Sequence, residues 1–176
     1  LYLGPHACSC YNVVKVTGFN ALASTRSTKV VVRRTNDRLE KGPAYESPIR
    51  PSSFVLRPSE NWPTYRNNRS RGGCTKAAVS AKLEPKWQAK LSPRISAPTI
   101  AEGKVFVADV DAHSVRALDV DTGKLLWAYT AGGRVDSPPT WNMGRLFFGS
   151  HDGWVYCLRA KDGWLAWRFK GLPDRS

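Results

Sequence analysis

The sequence predicts an all-β protein that contains part of a β-propeller, and the spacing of its tryptophans is the first reason. Trp87, Trp127 and Trp167 stand forty residues apart. The segments 96–130 and 137–170 are near copies of each other, with SAPTIAEGKVFV in the first aligned with SPPTWNMGRLFF in the second. A repeat of about 40 residues with four short strands has the length of a propeller blade rather than of a helical repeat.

Each copy divides into four strand-like runs, most of them separated by glycine. The second run of each copy is apolar on both faces, which is typical of a strand buried between two neighbouring sheets. The fourth run alternates with a period of two, as a strand with two unlike faces does. The predicted strands are 97–101, 104–109, 114–119 and 124–130 in the first copy, and 138–142, 145–150, 154–159 and 164–170 in the second.

These runs make two complete four-stranded antiparallel blades, at about 97–130 and 138–170. A further strand is predicted at 83–91, where Trp87 occupies the position of a blade's last tryptophan. We interpret it as a ring-closing strand, donated from the N-terminal side to a blade that lies outside this sequence.

The region before the repeats is irregular. Residues 1–22 contain two short β-like runs and are predicted to end a preceding β-unit, whereas 23–60 form a linker rich in Pro, Ser and Arg. The repeats then occupy 61–176. Because the chain begins without Met and carries only two whole copies, we expect an internal piece of a longer protein, with the remaining blades of the parent chain completing the propeller.

The net charge of +13 comes from the N-terminal half. Residues 1–95 hold 17 basic and 5 acidic residues, and residues 96–176 hold 10 and 9. Binding of nucleic acid through 26–94 would give an affinity that falls steeply with salt, but a solvated linker explains the same composition. No run of about 18 apolar residues is present, so no membrane-spanning helix is predicted.

A motif within the first copy carries a family resemblance. Residues 117–127 read ALDVDTGKLLW, and this resembles the tryptophan-docking motif Ala-x-Asp-x-x-Thr-Gly-x-x-x-Trp of pyrroloquinoline-quinone-like (PQQ-like) β-propeller repeats. The small alanine leaves room for an indole, the aspartate accepts turn hydrogen bonds, the glycine forms the turn and the tryptophan is the wedge between blades. The matching residues are Ala117, Asp119, Thr122, Gly123 and Trp127, with Trp87 at the equivalent position upstream.

The second copy departs from this motif. It keeps Gly163 and Trp167 but has Cys157 in place of the alanine and Arg159 in place of the aspartate. The stretch 61–66, NWPTYR, also resembles the Trp-Pro-x-x-Arg opening that precedes such repeats in bacterial multi-domain proteins. The resemblance therefore covers residues 61–170.

The resemblance implies two functions. Quinoprotein alcohol dehydrogenases of this fold have a vicinal cysteine pair, a calcium site and an aspartate base around the central channel, and that set is not recognisable here. We therefore predict a non-enzymatic scaffold without cofactor that binds a protein or a small polar ligand, in the bacterial periplasm or cell envelope, as the related outer-membrane-assembly lipoprotein does. The alternative is part of a dehydrogenase that uses PQQ and calcium and whose catalytic residues lie outside this sequence.

The loops between the second and third strands should emerge at the same end of the ring as the connection between blades. Five residues of these loops and of the connection are candidates for a ligand-binding face, although ordinary turn residues and a local ion pair explain them more simply. They are His113, Arg134, Asp136, His151 and Asp152.

A weaker candidate lies near the N-terminus. His6, Cys8 and Cys10 offer soft ligands two residues apart, which suits zinc or copper. Such spacing is common without a metal, and a turn with free or locally oxidised cysteines is the alternative.

Overall fold

The computed structural model describes residues 2–3, 20–21, 38–48, 61–68 and 70–171. The chain divides into two compact units, 1–35 and 36–176. In the first unit, strands β1 (Tyr2–Leu3) and β2 (Asn20–Ala21) pair antiparallel. No helix in the described ranges is long and apolar enough to span a membrane.

The second unit contains two antiparallel sheets, one for each sequence repeat. Within each sheet consecutive strands are neighbours, so the chain runs up and down from one edge to the other. This confirms the predicted all-β fold, and most strand ends agree with the prediction within one or two residues. The first blade comprises β4 (Thr99–Ala101), β5 (Lys104–Asp109), β6 (Ser114–Asp119) and β7 (Leu125–Thr130), and the second β8 (Thr140–Asn142), β9 (Arg145–Gly149), β10 (Trp154–Arg159) and β11 (Leu165–Lys170).

The hydrophobic core lies between the two sheets. The core residues stand two apart along β5, β6, β9 and β10, as side chains on one face of a strand do. Phe148 stacks on Tyr156 with ring centroids 5.2 Å apart, and Tyr129 of the first blade meets Phe148 edge-on at 6.4 Å. Buried members include Phe106, Ala108, Val115, Ala117, Leu146, Phe148, Tyr156 and Leu158.

The predicted strand at 83–91 is wrong, because these residues form no strand. A strand needs a hydrogen-bonded neighbour, and within the described part of the chain this segment has none; Leu83 is 75% exposed. Trp87 is held instead by its side chain, which donates a hydrogen bond to Val120 O. It therefore serves the first whole blade, and the prediction that it serves a blade outside the sequence is also wrong.

A fifth strand extends the second blade at its outer edge. Strand β3 (Leu39–Lys41) pairs antiparallel with β11, giving the order β3-β11-β10-β9-β8. It lies inside the segment 23–60 that was predicted as a linker. Three residues without alternation gave no recognisable strand pattern.

The turn that follows β3 is anchored to the second blade by backbone and arginine contacts. Gly42 N and Ala44 N donate to the carbonyls of Ala166 and Leu165, and a Cβ at Gly42 would overlap the Leu165 carbonyl. The buried Arg145 donates to Ala44 O at 3.2 Å and to Ser47 O at 2.6 Å. A charged guanidinium thus satisfies carbonyls that are removed from water.

The Trp-Pro segment forms a strap along the innermost strands. Trp62 and Ile100 exchange two backbone hydrogen bonds, of 2.7 and 2.9 Å, at the edge of β4. One residue later, Pro63 O accepts from Trp141 N on β8 at 2.7 Å. The strap therefore joins the first strands of both blades.

Candidate functional site

Two tryptophans dock on the blade that follows them, through the same set of contacts. The Trp127 indole donates from Nε1 to Ala160 O at 3.2 Å, and Trp87 donates to Val120 O at 3.0 Å. Each ring lies over the glycine of the next turn: a Cβ at Gly163 would stand 2.6 Å from Trp127 Cε3, and one at Gly123 2.5 Å from Trp87 Cε3. Only glycine leaves space for the indole there.

The other motif residues stabilise that turn in the first blade. Asp119 Oδ1 accepts hydrogen bonds from Thr122 Oγ1 and Thr122 N, both at 2.8 Å, and from Asp121 N. The Thr122 hydroxyl, and then its amide, hold the pKa of Asp119 below the usual value. Ala117 is buried opposite Trp127 in the strand register. The structure thus brings together all five residues of the motif.

The second blade achieves the same turn with different chemistry. Arg159, which replaces the aspartate, forms a two-pronged ion pair with Asp162 at 2.9 and 2.6 Å. It also donates to Ser47 Oγ at 2.7 Å. The substitution therefore links the turn to the segment that follows β3.

Trp167 packs on that segment and on its own blade. Its ring lies 6.0 Å from that of Phe147, much as Trp127 lies 5.9 Å from Phe106. Ala44 and Cys157 are buried beside it. Burial raises the pKa of the Cys157 thiol to about 11, so the thiol is protonated at neutral pH and acts as a packing group.

The loops at one end of the two blades are joined by a charged cluster. His151 Nε2 lies 2.6 Å from Asp136 Oδ2, and Arg134 Nε lies 2.9 Å from Asp136 Oδ1. His151 N also donates to Arg134 O at 2.9 Å. The structure therefore brings three of the five candidate residues together, across the junction between blades.

Asp152 is the fourth candidate and lies directly beside this cluster. Tyr156 Oη donates to Asp152 Oδ2 at 2.5 Å. The connection between the blades comes close to Asp152 because it has glycine at 132 and 133: a Cβ at Gly132 or Gly133 would stand 2.7 or 2.6 Å from atoms of Asp152. Sequence reasoning missed Tyr156, because its place in a core strand gave it no functional signal.

The fifth candidate, His113, lies apart from the cluster. It adopts a φ of 51° in an exposed turn, and its carbonyl accepts from Ala131 N at 2.8 Å. Its imidazole has no partner within the described part of the chain. Next to it, Asp111 pairs with Arg94, a contact that the sequence did not indicate because the two residues belong to different segments.

The weak metal candidates cannot be placed, since His6, Cys8 and Cys10 lie outside the described residues. In the ranges that the structure describes, no three His, Cys, Asp or Glu side chains stand close enough to hold a metal ion. The proposed zinc or copper site stays a prediction.

We expect protonation of Asp152 to lower the free energy of unfolding at acidic pH. Burial raises its pKa, but hydrogen bonds from Tyr156, Trp154 N and others outweigh burial, so the net pKa lies below the usual value. A carboxylate with a lowered pKa stabilises the fold above the pKa of the unfolded chain, about 3.9, and loses that contribution as the pH falls through its folded pKa. In urea unfolding, Asp152→Asn should therefore be less stable than the parent at pH 7, with a difference that shrinks below about pH 4. A difference independent of pH would contradict this role.

Comparison with known proteins gives the same fold. Residues 77–174 match the family described as "Outer membrane protein assembly factor BamB". The quinone-dependent alcohol dehydrogenase subunits of Gluconobacter oxydans and Komagataeibacter europaeus are 34% and 33% identical over 91 residues, which is 45% of this chain. The chain spans only 12% of the length of these relatives.

Solved structures show the fold at lower sequence identity. The quinohemoprotein alcohol dehydrogenase of Comamonas testosteroni superposes with a TM-score of 0.57 at 17% identity, over 70% of this chain and 21% of its own. The corresponding enzyme ADHIIG of Pseudomonas putida HK5 gives 0.54 at 18%, over 77% and 22%. The family match, covering more than half of the chain, agrees with the docked tryptophans and the two four-stranded blades. The chain therefore belongs to the PQQ-like β-propeller repeat family of the outer membrane protein assembly factor BamB.

Proposed function

We propose that this chain is a non-enzymatic β-propeller scaffold that binds a protein partner on its loop face, meaning residues 110–113, 131–137 and 150–153. One observation carries the proposal. The link between Asp136 and His151, at 2.6 Å, fastens the loop between blades to a loop of the second blade. Loops held in this way present a preformed surface, which lowers the entropic cost of binding.

The state of the carboxylates supports binding rather than catalysis. Asp111 is paired with Arg94, and Asp136 with Arg134. The hydrogen bond from Arg94 is the main cause that lowers the pKa of Asp111 below its usual value. Burial raises the pKa of Asp136, but Arg134 and His151 outweigh burial, so this pKa is lowered as well. A general base at neutral pH needs a pKa near 7. These groups are shifted in the opposite direction.

The family suggests the class of partner. Its description names an outer membrane protein assembly factor, and a factor of that kind acts by contacting other proteins. We therefore infer a protein partner in the bacterial periplasm or cell envelope. The exposed polar loop residues suit the rim of such an interface.

The alternative, a part of a PQQ- and calcium-dependent dehydrogenase, is favoured by the 34% identical relatives. The described residues alone do not supply that cofactor set, which in this alternative lies in blades outside this sequence. Cys74 is exposed and Cys157 is buried beside Ala44 and Trp167, so these two cysteines do not form a vicinal pair. No cluster of carboxylates suitable for calcium occurs in the described ranges.

Site-specific photocrosslinking tests the scaffold proposal. A photoreactive residue in place of Ala112, on the loop face, should give one crosslinked envelope protein. The same photoreactive residue in place of Met143 is the control and should not crosslink that protein, because the turn that contains Met143 joins β8 to β9 at the opposite end of the blade. Crosslinking of that protein from Met143 alone would contradict the proposed face. Quinone absorbance and alcohol oxidation after addition of PQQ and calcium would support the dehydrogenase instead.

A further inference from the structure

A cleft lies apart from the loop face, between the irregular segment after the strap and the innermost strand of the first blade. Its volume is about 540 Å³, within the range of roughly 300–1,000 Å³ typical of small-molecule sites. The lining is mostly apolar and includes Trp62, Ala77, Pro98 and Ile100.

The wall formed by β4 has few hydrogen-bonding groups to offer. Both backbone groups of Ile100 are already bonded to Trp62, at 2.7 and 2.9 Å. An added peptide strand would leave its own N–H and C=O groups unpaired against this wall, at considerable cost. A hydrocarbon chain therefore suits this wall better than a peptide strand does.

Arg66 supplies a positive charge to the cleft. Arg66 belongs to the lining, and in the described part of the chain no carboxylate pairs with it. Segment 61–83 carries five Lys or Arg residues and no Asp or Glu. The Arg66 backbone is fixed by two hydrogen bonds to its carbonyl, from Asn68 N and Gly73 N, both of 3.0 Å. A ligand with a single negative group next to an apolar body complements this arrangement.

We propose that the cleft binds a single-chain alkyl carboxylate. The aliphatic chain lies against Trp62, Pro98 and Ile100, and the carboxylate pairs with the Arg66 guanidinium. A charge-assisted hydrogen bond of this kind fixes the orientation of the ligand, while apolar contact supplies most of the affinity.

Titration calorimetry with decanoate tests the proposal directly. Decanoate should bind with one site per chain, and Arg66→Gln should weaken binding by about tenfold or more, since a hydrogen bond to a charged group is lost. Lys161→Gln, which removes a lysine from the second blade, is the matched control and should leave the affinity unchanged. Ala77→Phe, which fills the cleft, should abolish binding.

The probe's charge and the variants decide the outcome. Equal binding of decyltrimethylammonium, or decanoate binding that neither Arg66→Gln nor Ala77→Phe changes, would overturn the proposal. So would no decanoate binding together with Arg66-dependent, salt-sensitive binding of a single-stranded oligonucleotide. Thermal unfolding of each variant shows that it is folded, and because Arg66 is exposed, its replacement remains informative if Ala77→Phe destabilises the chain.

Discussion

Replacing Trp127 with alanine should lower the free energy of unfolding by about 3–5 kcal/mol, the cost of truncating a large aromatic at a packed position. The indole lies between Phe106 of its own blade and Gly163 of the next. Its removal also leaves Ala160 O without its 3.2 Å hydrogen bond. Urea unfolding followed by circular dichroism measures the change.

Trp164→Ala is the matched control for that variant. Trp164 is 56% exposed, and Arg159 makes a cation–π contact with it, with Cζ 5.9 Å from the ring centroid. Its replacement should therefore cost about 1 kcal/mol or less. Equal losses for the two variants would show that Trp127 is not a wedge between blades.

The strands of the two blades could be predicted because their signals are local. Alternation in β7 and β11, apolar runs in β5 and β9, and glycines at the turns are all read within ten residues. Dependence on local signals also explains which strand could not be predicted. Strand β3 has three residues and no alternation, and it exists because β11 offers it an edge 126 residues later, from Lys41 to Trp167.

The role of Trp87 shows how a correct motif led to a wrong partner. The repeat indicated a wedge, but the acceptor of its indole lies 33 residues downstream, in the following blade. Trp127 has the same separation from Ala160. The pairing is a property of blade stacking, which the spacing of tryptophans alone does not specify.

The loop cluster was foreseen only in part, for a related reason. Strand order places both loops at one end, so Asp136 and His151 could be grouped from topology. Their direct contact depends on how closely the two loops approach. That approach is set by Gly132 and Gly133, for which a side chain would overlap the backbone or carboxylate of Asp152.

Gly163→Ala should lower the free energy of unfolding by about 2–5 kcal/mol. The left-handed backbone, with a φ of 76°, contributes about 1–2 kcal/mol for a residue with a Cβ. Overlap of that Cβ with the Trp127 ring, at 2.6 Å from Cε3, contributes about 1–3 kcal/mol more. Gly73→Ala is the control, because its φ is 67° while the nearest atom, on the flexible Arg66 side chain, is 3.6 Å away; its cost should be the backbone part alone.

A double-mutant cycle then isolates the contact between the indole and the glycine. Once Trp127 is alanine, a Cβ at position 163 meets empty space, so Gly163→Ala should cost only the backbone part, about 1–2 kcal/mol. The two substitutions should therefore be less harmful together than the sum of their separate effects. The cycle is read from urea unfolding of the four proteins. Strict additivity would mean that the indole does not rest on Gly163, and the proposed basis for stacking one blade on the next would have to be abandoned.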